Sequence, residues 1–336
     1  MYSNVVIKWY VDMTKKTLVV TETKQIVPVS DLKELTKSLF GGLDINPNSR
    51  ADYELRTPLF LDFVKDNGLN RNTYLEYKRY LTSRADFSVG TKAKYLTVAK
   101  IILKELNRQG YLPVDITSTI KGFKQSKKHK RDGVNDEEMA KLMEAVKSLP
   151  HTADNSRLKA ILSLLTLQGL RQVEITRLDV ADIDLVAGTA LILGKGRDEK
   201  EIVYLHPETV KGLADYMKLN KVKSGALFTS KSNNSKSQRL TTRSVRGMVK
   251  DLLTRLGIAK TTHGFRHYFT TTLIKTYKGD LLEVASYTRH KGLEMLQVYN
   301  DTIKKQADLP RYYSAFKGVE FWPWYAEYFW LSLLPS

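Results

Sequence analysis

The sequence predicts a mainly α-helical fold with a small β-sheet, divided into two domains. Three observations carry this expectation. Apolar residues recur at helical spacing in two blocks, residues 50–120 and from 135 onward. The β signals are short: VVIKWYV and TLVV within residues 1–29, then LIL at 191–193 and IVYL at 202–205. Between the blocks, KGFKQSKKHKRDGVND (121–136) is basic and poor in apolar residues, as an interdomain linker is. A chain of 336 residues also suits two domains better than one.

Taken in order, VVIKWYV and TLVV read as strands with MTKK as their turn, and Asp31 and Glu34 form a capping-box-like pair before a short helix. Residues 1–45 form a small β-containing appendage, either a structural addition or a second DNA-binding module. GGLDINPNS (41–49) has loop chemistry. Residues 46–120 form a helical domain. LFLDFVKDNG stops at Gly68, and a later helix carries Tyr95, Val98, Ile102 and Leu106 on one stripe. Lys92, Lys94, Lys100 and Lys104 are expected on the opposite side, a face suited to a DNA backbone or simply to solvent. Residues 121–134 are the linker, whose Lys124, Lys127, Lys128, Lys130 and Arg131 suit either tracking of phosphates or a solvated hinge.

Residues 135–318 form the second domain. Asn135 is the expected N-cap of DEEMAKLMEAVKSL. SRLKAILSLLTLQGL is apolar nearly all round, as a buried core helix is. LIL and IVYL form a hairpin around GKGRDEKE, with Lys195 at the end of the first strand. Helices are expected near 207–220 and 241–256, separated by the mobile loop SKSNNSKSQ.

Composition narrows the function. The net charge of +18 points to a polyanionic partner, nucleic acid ahead of an anionic membrane surface. With 42% hydrophobic residues, large cores are feasible. The absence of cysteine excludes disulfides, thiolate metal sites and cysteine nucleophiles, and fits a reducing compartment. The N-terminus does not read as a signal peptide, and no run of about 20 apolar residues predicts a spanning helix.

The densest chemistry lies between Thr261 and Tyr299. His263 and Arg266 are three apart, on one face of a helical turn, and His290 and Tyr299 follow. Arginine offers a planar fork to two phosphate oxygens, histidine moves protons near neutrality, and a tyrosine hydroxyl can attack phosphorus. Upstream, Arg171 and Glu174 are also three apart. Singly, each has an ordinary reading as core, solvated face or solvated turn; together they point to phosphodiester chemistry.

GLRQVEI around Arg171, LGKGRDEK around Lys195, THGFRH around His263 and Arg266, and the segment from His290 to Tyr299 resemble the tyrosine recombinases, the phage-integrase and Xer-like enzymes. The likeness is specific over about 134–317 and holds only in pattern over 50–120. It implies a SAM-like helical core-binding domain ahead of a mixed α/β catalytic domain. It also implies a site-specific recombinase that cleaves and rejoins double-stranded DNA through a 3′-phosphotyrosyl intermediate, with neither metal nor ATP. Arg171 and Arg266 would hold the phosphate, Tyr299 would attack, Lys195 would protonate the leaving oxygen, His263 and His290 would assist, and Glu174 would orient its neighbours. Two departures stand out: Thr288-Arg289 replaces a usual Leu-Gly, adding charge beside the phosphate, and Asp301 brings an acid near the nucleophile.

The resemblance further implies a homotetramer on paired recombination sites, a cytoplasmic protein encoded by a prokaryote, virus or mobile element, and a C-terminal segment exchanged in trans. A type IB topoisomerase and a non-catalytic DNA-binding protein are the alternatives. The tail 319–336 holds three of the four tryptophans, and each such ring can bury roughly 150–250 Å². Packing on its own domain, docking on a neighbouring subunit and lying at a membrane interface are its three possible fates.

Overall fold

The computed structural model describes residues 10–12, 17–19, 36, 38–125, 133–194, 196–230, 238–290 and 292–315. Asp31, Glu34, the connection 231–237 and the aromatic tail 319–336 lie outside them. The chain divides into two compact units, Met1–Ser126 and Lys127–Ser336.

In the first unit, β1 (Tyr10–Asp12) and β2 (Thr17–Val19) pair antiparallel, with Tyr10 opposite Val19. After a helical stretch over the described residues 38–41 come three longer helices among the described residues: α1 (Pro47–Asn67), α2 (Thr73–Ser83) and α3 (Val89–Arg108). α1 starts inside the stretch expected to be loop. The Asn46 side chain accepts a hydrogen bond from Ser49 N at 2.9 Å, and Pro47 occupies a first-turn position where its missing N–H costs nothing. α1 ends at Gly68, whose φ of 75° and N–H bond to Val64 O close the helix as expected. Phe60, Tyr77, Leu81, Val98, Ile102 and Leu106 meet in one core, which also buries Leu39 and Phe40 from the stretch assigned to the appendage. Phe123 packs against this core, and Lys78 Nζ donates to Lys121 O at 2.7 Å, so the start of the linker is fastened to the helices.

The second unit is built around α5 (Ala153–Leu167), whose buried Leu158, Ala160, Ile161, Leu162, Leu164 and Leu165 explain its apolar circumference. α4 (Asp136–Ser148) precedes it, opened by a reciprocal cap between Asn135 and Glu138. The short α6 (Gln172–Arg177) leads into β3 (Ile183–Asp184), β4 (Thr189–Leu193) and β5 (Lys200–Tyr204), an antiparallel sheet in that order. Ala190 pairs with Val203, and the two point into the core with Ile192. The helices α7 (Pro207–Leu219) and α8 (Thr242–Arg255) fall where the periodicity places them. α9 (Thr262–Thr276), α10 (Leu281–Thr288) and α11 (Glu294–Ser314) complete the described unit. Among the described residues, no helix is long and apolar enough to cross a membrane.

Candidate active site

Arg171 sits at the N-terminal edge of α6. Its backbone N–H donates to Glu174 Oε2 at 2.8 Å and its Nη1 to Glu174 Oε1 at 2.9 Å. The three-residue spacing thus turns Glu174 back to hold both ends of Arg171. The Glu174 side chain has no exposure, whereas Arg171 keeps 35% of its own. Burial pushes the Glu174 carboxyl up, but the Arg289 charge and the Arg171 and Arg289 hydrogen bonds outweigh it and hold it below the usual carboxylate value.

Arg266 lies on α9, buried, and is fixed by backbone carbonyls. Its Nη1 donates to Gly169 O at 2.7 Å and its Nη2 to Thr288 O at 2.6 Å. Burial first, then the charges of Arg171 and Arg289, lower its pKa to about 10, which leaves it charged at neutral pH. Gly169 has φ 57°, and a Cβ there would meet the Phe269 ring at 2.3 Å. Glycine suits this left-handed backbone and leaves the room that the Phe269 ring occupies.

Tyr299 is on α11, packed with Ile274, Val284 and Leu296. Burial raises its hydroxyl to about 12, offset in part by the Arg266 charge. His267 meets its ring edge-on, with centroids 4.6 Å apart. His263 is exposed on the first turn of α9, so the shared-face expectation holds in spacing but not in depth beside buried Arg266. His290 Nδ1 is 2.7 Å from Thr288 Oγ1, whose own hydroxyl donates to Val284 O. Because that hydroxyl's proton goes to Val284, the histidine donates from Nδ1 to Thr288.

A cavity of about 210 Å³ is walled by Arg171, Glu174, Arg289 and His290, together with Gly194, Arg197 and Glu201 of the β4–β5 hairpin. Lys195 lies outside the described residues, as do Lys127, Lys128, Lys130 and Arg131. Lys94 and Lys124 are exposed. Lys92 is not an open cation: it is half-buried, and its Nζ donates to Thr82 O at 2.9 Å at the end of α2. Asp301 is exposed and bonded to Gln297, about half a helical turn from buried Tyr299, so the acid beside the nucleophile in sequence faces elsewhere.

One residue emerges only from the fold: His267 adjoins Arg266, and that adjacency is its one signal in the sequence. Arg289, which the sequence marks as charge added beside the phosphate, has a side chain only 6% exposed that bonds Glu174. Among the described residues, no group of three or more His, Asp or Glu side chains is placed to hold a metal ion.

Residues 134–306 match the model of the phage integrase family. The chain is 26% identical over 279 residues to the tyrosine recombinase XerC of Halalkalibacterium halodurans, covering 77% of this chain and 88% of that one. It is 26% identical over 260 residues to the tyrosine recombinase XerA of Pyrococcus horikoshii, covering 73% and 88%. In fold it is similar to the XerH site-specific recombinase in a post-cleavage complex with palindromic difH substrate, with TM-score 0.68, 20% identity and coverage of 87% and 85%. It also resembles a lambda integrase tetramer bound to a Holliday junction, with TM-score 0.63, 13% identity and coverage of 82% and 78%. The chain belongs to the phage integrase family, the tyrosine-type site-specific DNA recombinases.

Proposed function

We propose that this enzyme exchanges DNA strands through a covalent 3′-phosphotyrosyl intermediate. Tyr299 Oη attacks the scissile phosphorus, the P–O5′ bond breaks, and a free 5′-hydroxyl is left. The tyrosine proton passes to His263, and Lys195 supplies a proton to the departing O5′ as general acid. Arg171 and Arg266 bind the non-bridging oxygens and stabilise the charge that grows on them. His290, held through Nδ1 by Thr288, hydrogen-bonds the phosphate. Attack by another strand's 5′-hydroxyl reverses the chemistry. The bond energy is retained in the tyrosyl ester, so neither ATP nor a metal is required.

The reading rests above all on the pairing of an anchored Arg266 with a Tyr299 hydroxyl that its charge reaches, beside the cavity walled by Arg171 and His290. Lys94, Lys124, Lys127, Lys128, Lys130 and Arg131, with Lys92 in a lesser part, follow the phosphate backbone. Residues 46–120 and 135–318 grip the duplex as core-binding and catalytic domains. The enzyme works in the cytoplasm as a homotetramer on paired sites, with the segment after Tyr299 donated to a neighbouring subunit. The lambda integrase tetramer on a Holliday junction supports that assembly by likeness of fold.

A nicked suicide substrate traps the intermediate. The unaltered chain should give a DNA-linked band on a denaturing gel, and Tyr299→Phe should lose it while keeping DNA binding, because only the attacking oxygen is removed. A covalent band that persists in the variant would move the nucleophile elsewhere.

A further inference from the structure

Arg289 ends α10 in the left-handed region, at φ 58° and ψ 38°. That backbone strains an L side chain and favours glycine. The side chain nevertheless runs into the protein, with 6% exposure. Its Nη2 donates to Glu174 Oε2 at 2.9 Å, and Nη1 makes an ion contact to Glu201 Oε1 at 3.5 Å. Nε and Nη1 are buried and have no hydrogen-bond partner. A strained, desolvated arginine needs a reason that shape does not provide.

Charge supplies one. Glu174 holds Arg171 through both carboxylate oxygens and is wholly buried. A buried carboxylate that aims a phosphate-binding arginine also cancels its charge. A phosphodiester brings one negative charge to the site, and addition of a nucleophile places a second on the non-bridging oxygens. Arg171 and Arg266 with Glu174 alone leave one net positive charge; Arg289 restores the second. Through Glu201, which also takes Arg197 Nη1 at 2.9 Å, the same guanidinium reaches the strand that follows the turn carrying Lys195.

We propose that Arg289 is a positioning residue of the phosphate clamp: it braces Glu174 and neutralises it, so that the carboxylate orients Arg171 without weakening it. This deepens the strand-cleavage reading above and rests on it.

The test is single-turnover cleavage of the suicide substrate by the full chain, with DNA affinity measured alongside. Arg289→Gly suits the left-handed backbone and should still cut cleavage by about ten- to a hundredfold, the scale of a hydrogen bond between charged groups. Arg289→Lys keeps the charge and should lose less. The deciding measurement uses Glu174→Gln, where there is no charge left to neutralise. In that background Arg289→Gly should cost no more than about twofold, since the coupled pair then shares its loss. An equal loss in both backgrounds, a glycine variant as active as the parent, or a lysine variant worse than glycine would each overturn the proposal. If the unaltered chain forms the adduct, such a result removes only the role of Arg289. If the unaltered chain forms none, the cleavage reading falls, and this one with it.

Discussion

Gly169 shows how much of the site hangs on single backbone positions. Its carbonyl takes Arg266 Nη1, its φ is 57°, and its missing Cβ leaves room for the Phe269 ring. An alanine there would pay the left-handed penalty of about 1–2 kcal/mol. Displacing the half-buried ring would add about 1–3 kcal/mol of overpacking. Gly169→Ala should therefore destabilise the second unit by roughly 2–5 kcal/mol in urea unfolding, and lower cleavage as the anchor of Arg266 shifts. A variant within about 1 kcal/mol of the parent, the range of a tolerated substitution, would show that the ring and backbone adapt freely. Nothing local to GLRQ announces this contact: the partner carbonyl and guanidinium are 97 residues apart. Tyr299 carries the same lesson. Its place in the order Arg, His, Arg, His, Tyr is legible along the chain, but its burial and the edge of His267 are not.

At the level of elements, the β4–β5 hairpin carries the cavity's far wall and the turn with Lys195. Its register is set by the alternation of Ala190, Ile192 and Val203 toward the core, a period-two pattern readable in TALIL and KEIVY. The hairpin is braced at its mouth by the ion pair of Arg197 with Glu201 and by Arg177 Nη1 on Gly194 O at 3.3 Å. If Lys195 is the acid of the leaving group, Lys195→Ala should slow cleavage of ordinary DNA yet be largely rescued by a 5′-phosphorothiolate at the scissile bond, because sulfur departs without a proton. Equal defects on the two substrates would leave Lys195 as a backbone contact or a solvated turn residue. The periodic helices α7 and α8, and the all-round apolar α5, follow the sequence closely. The start of α1 does not, because Asn and Pro signal loops and helix starts alike, and the Asn46 cap decides between them.

For the molecule as a whole, α11 is the element that reaches beyond its own unit's core. Past Tyr299 it continues unbroken to Ser314, exposed from Asp301 onward apart from Ile303 and Leu309. Truncation after Asp308 should preserve DNA binding by single subunits and lose cooperative assembly and recombination, read from gel-shift stoichiometry beside recombination yield. Normal higher-order complexes from the truncated chain would make this segment dispensable for exchange. Sequence by itself determined the mainly helical class, the hairpin, the basic charge and the family, because periodicity, composition and ordered motifs are carried by neighbouring residues. Only the tertiary structure decided that Arg266 is held by Gly169 and Thr288 carbonyls, that Arg289 spans 115 residues to Glu174, and that Lys92 is tied to Thr82. Such pairings depend on which distant groups the packed core brings within about 3 Å, a distance that no local pattern encodes.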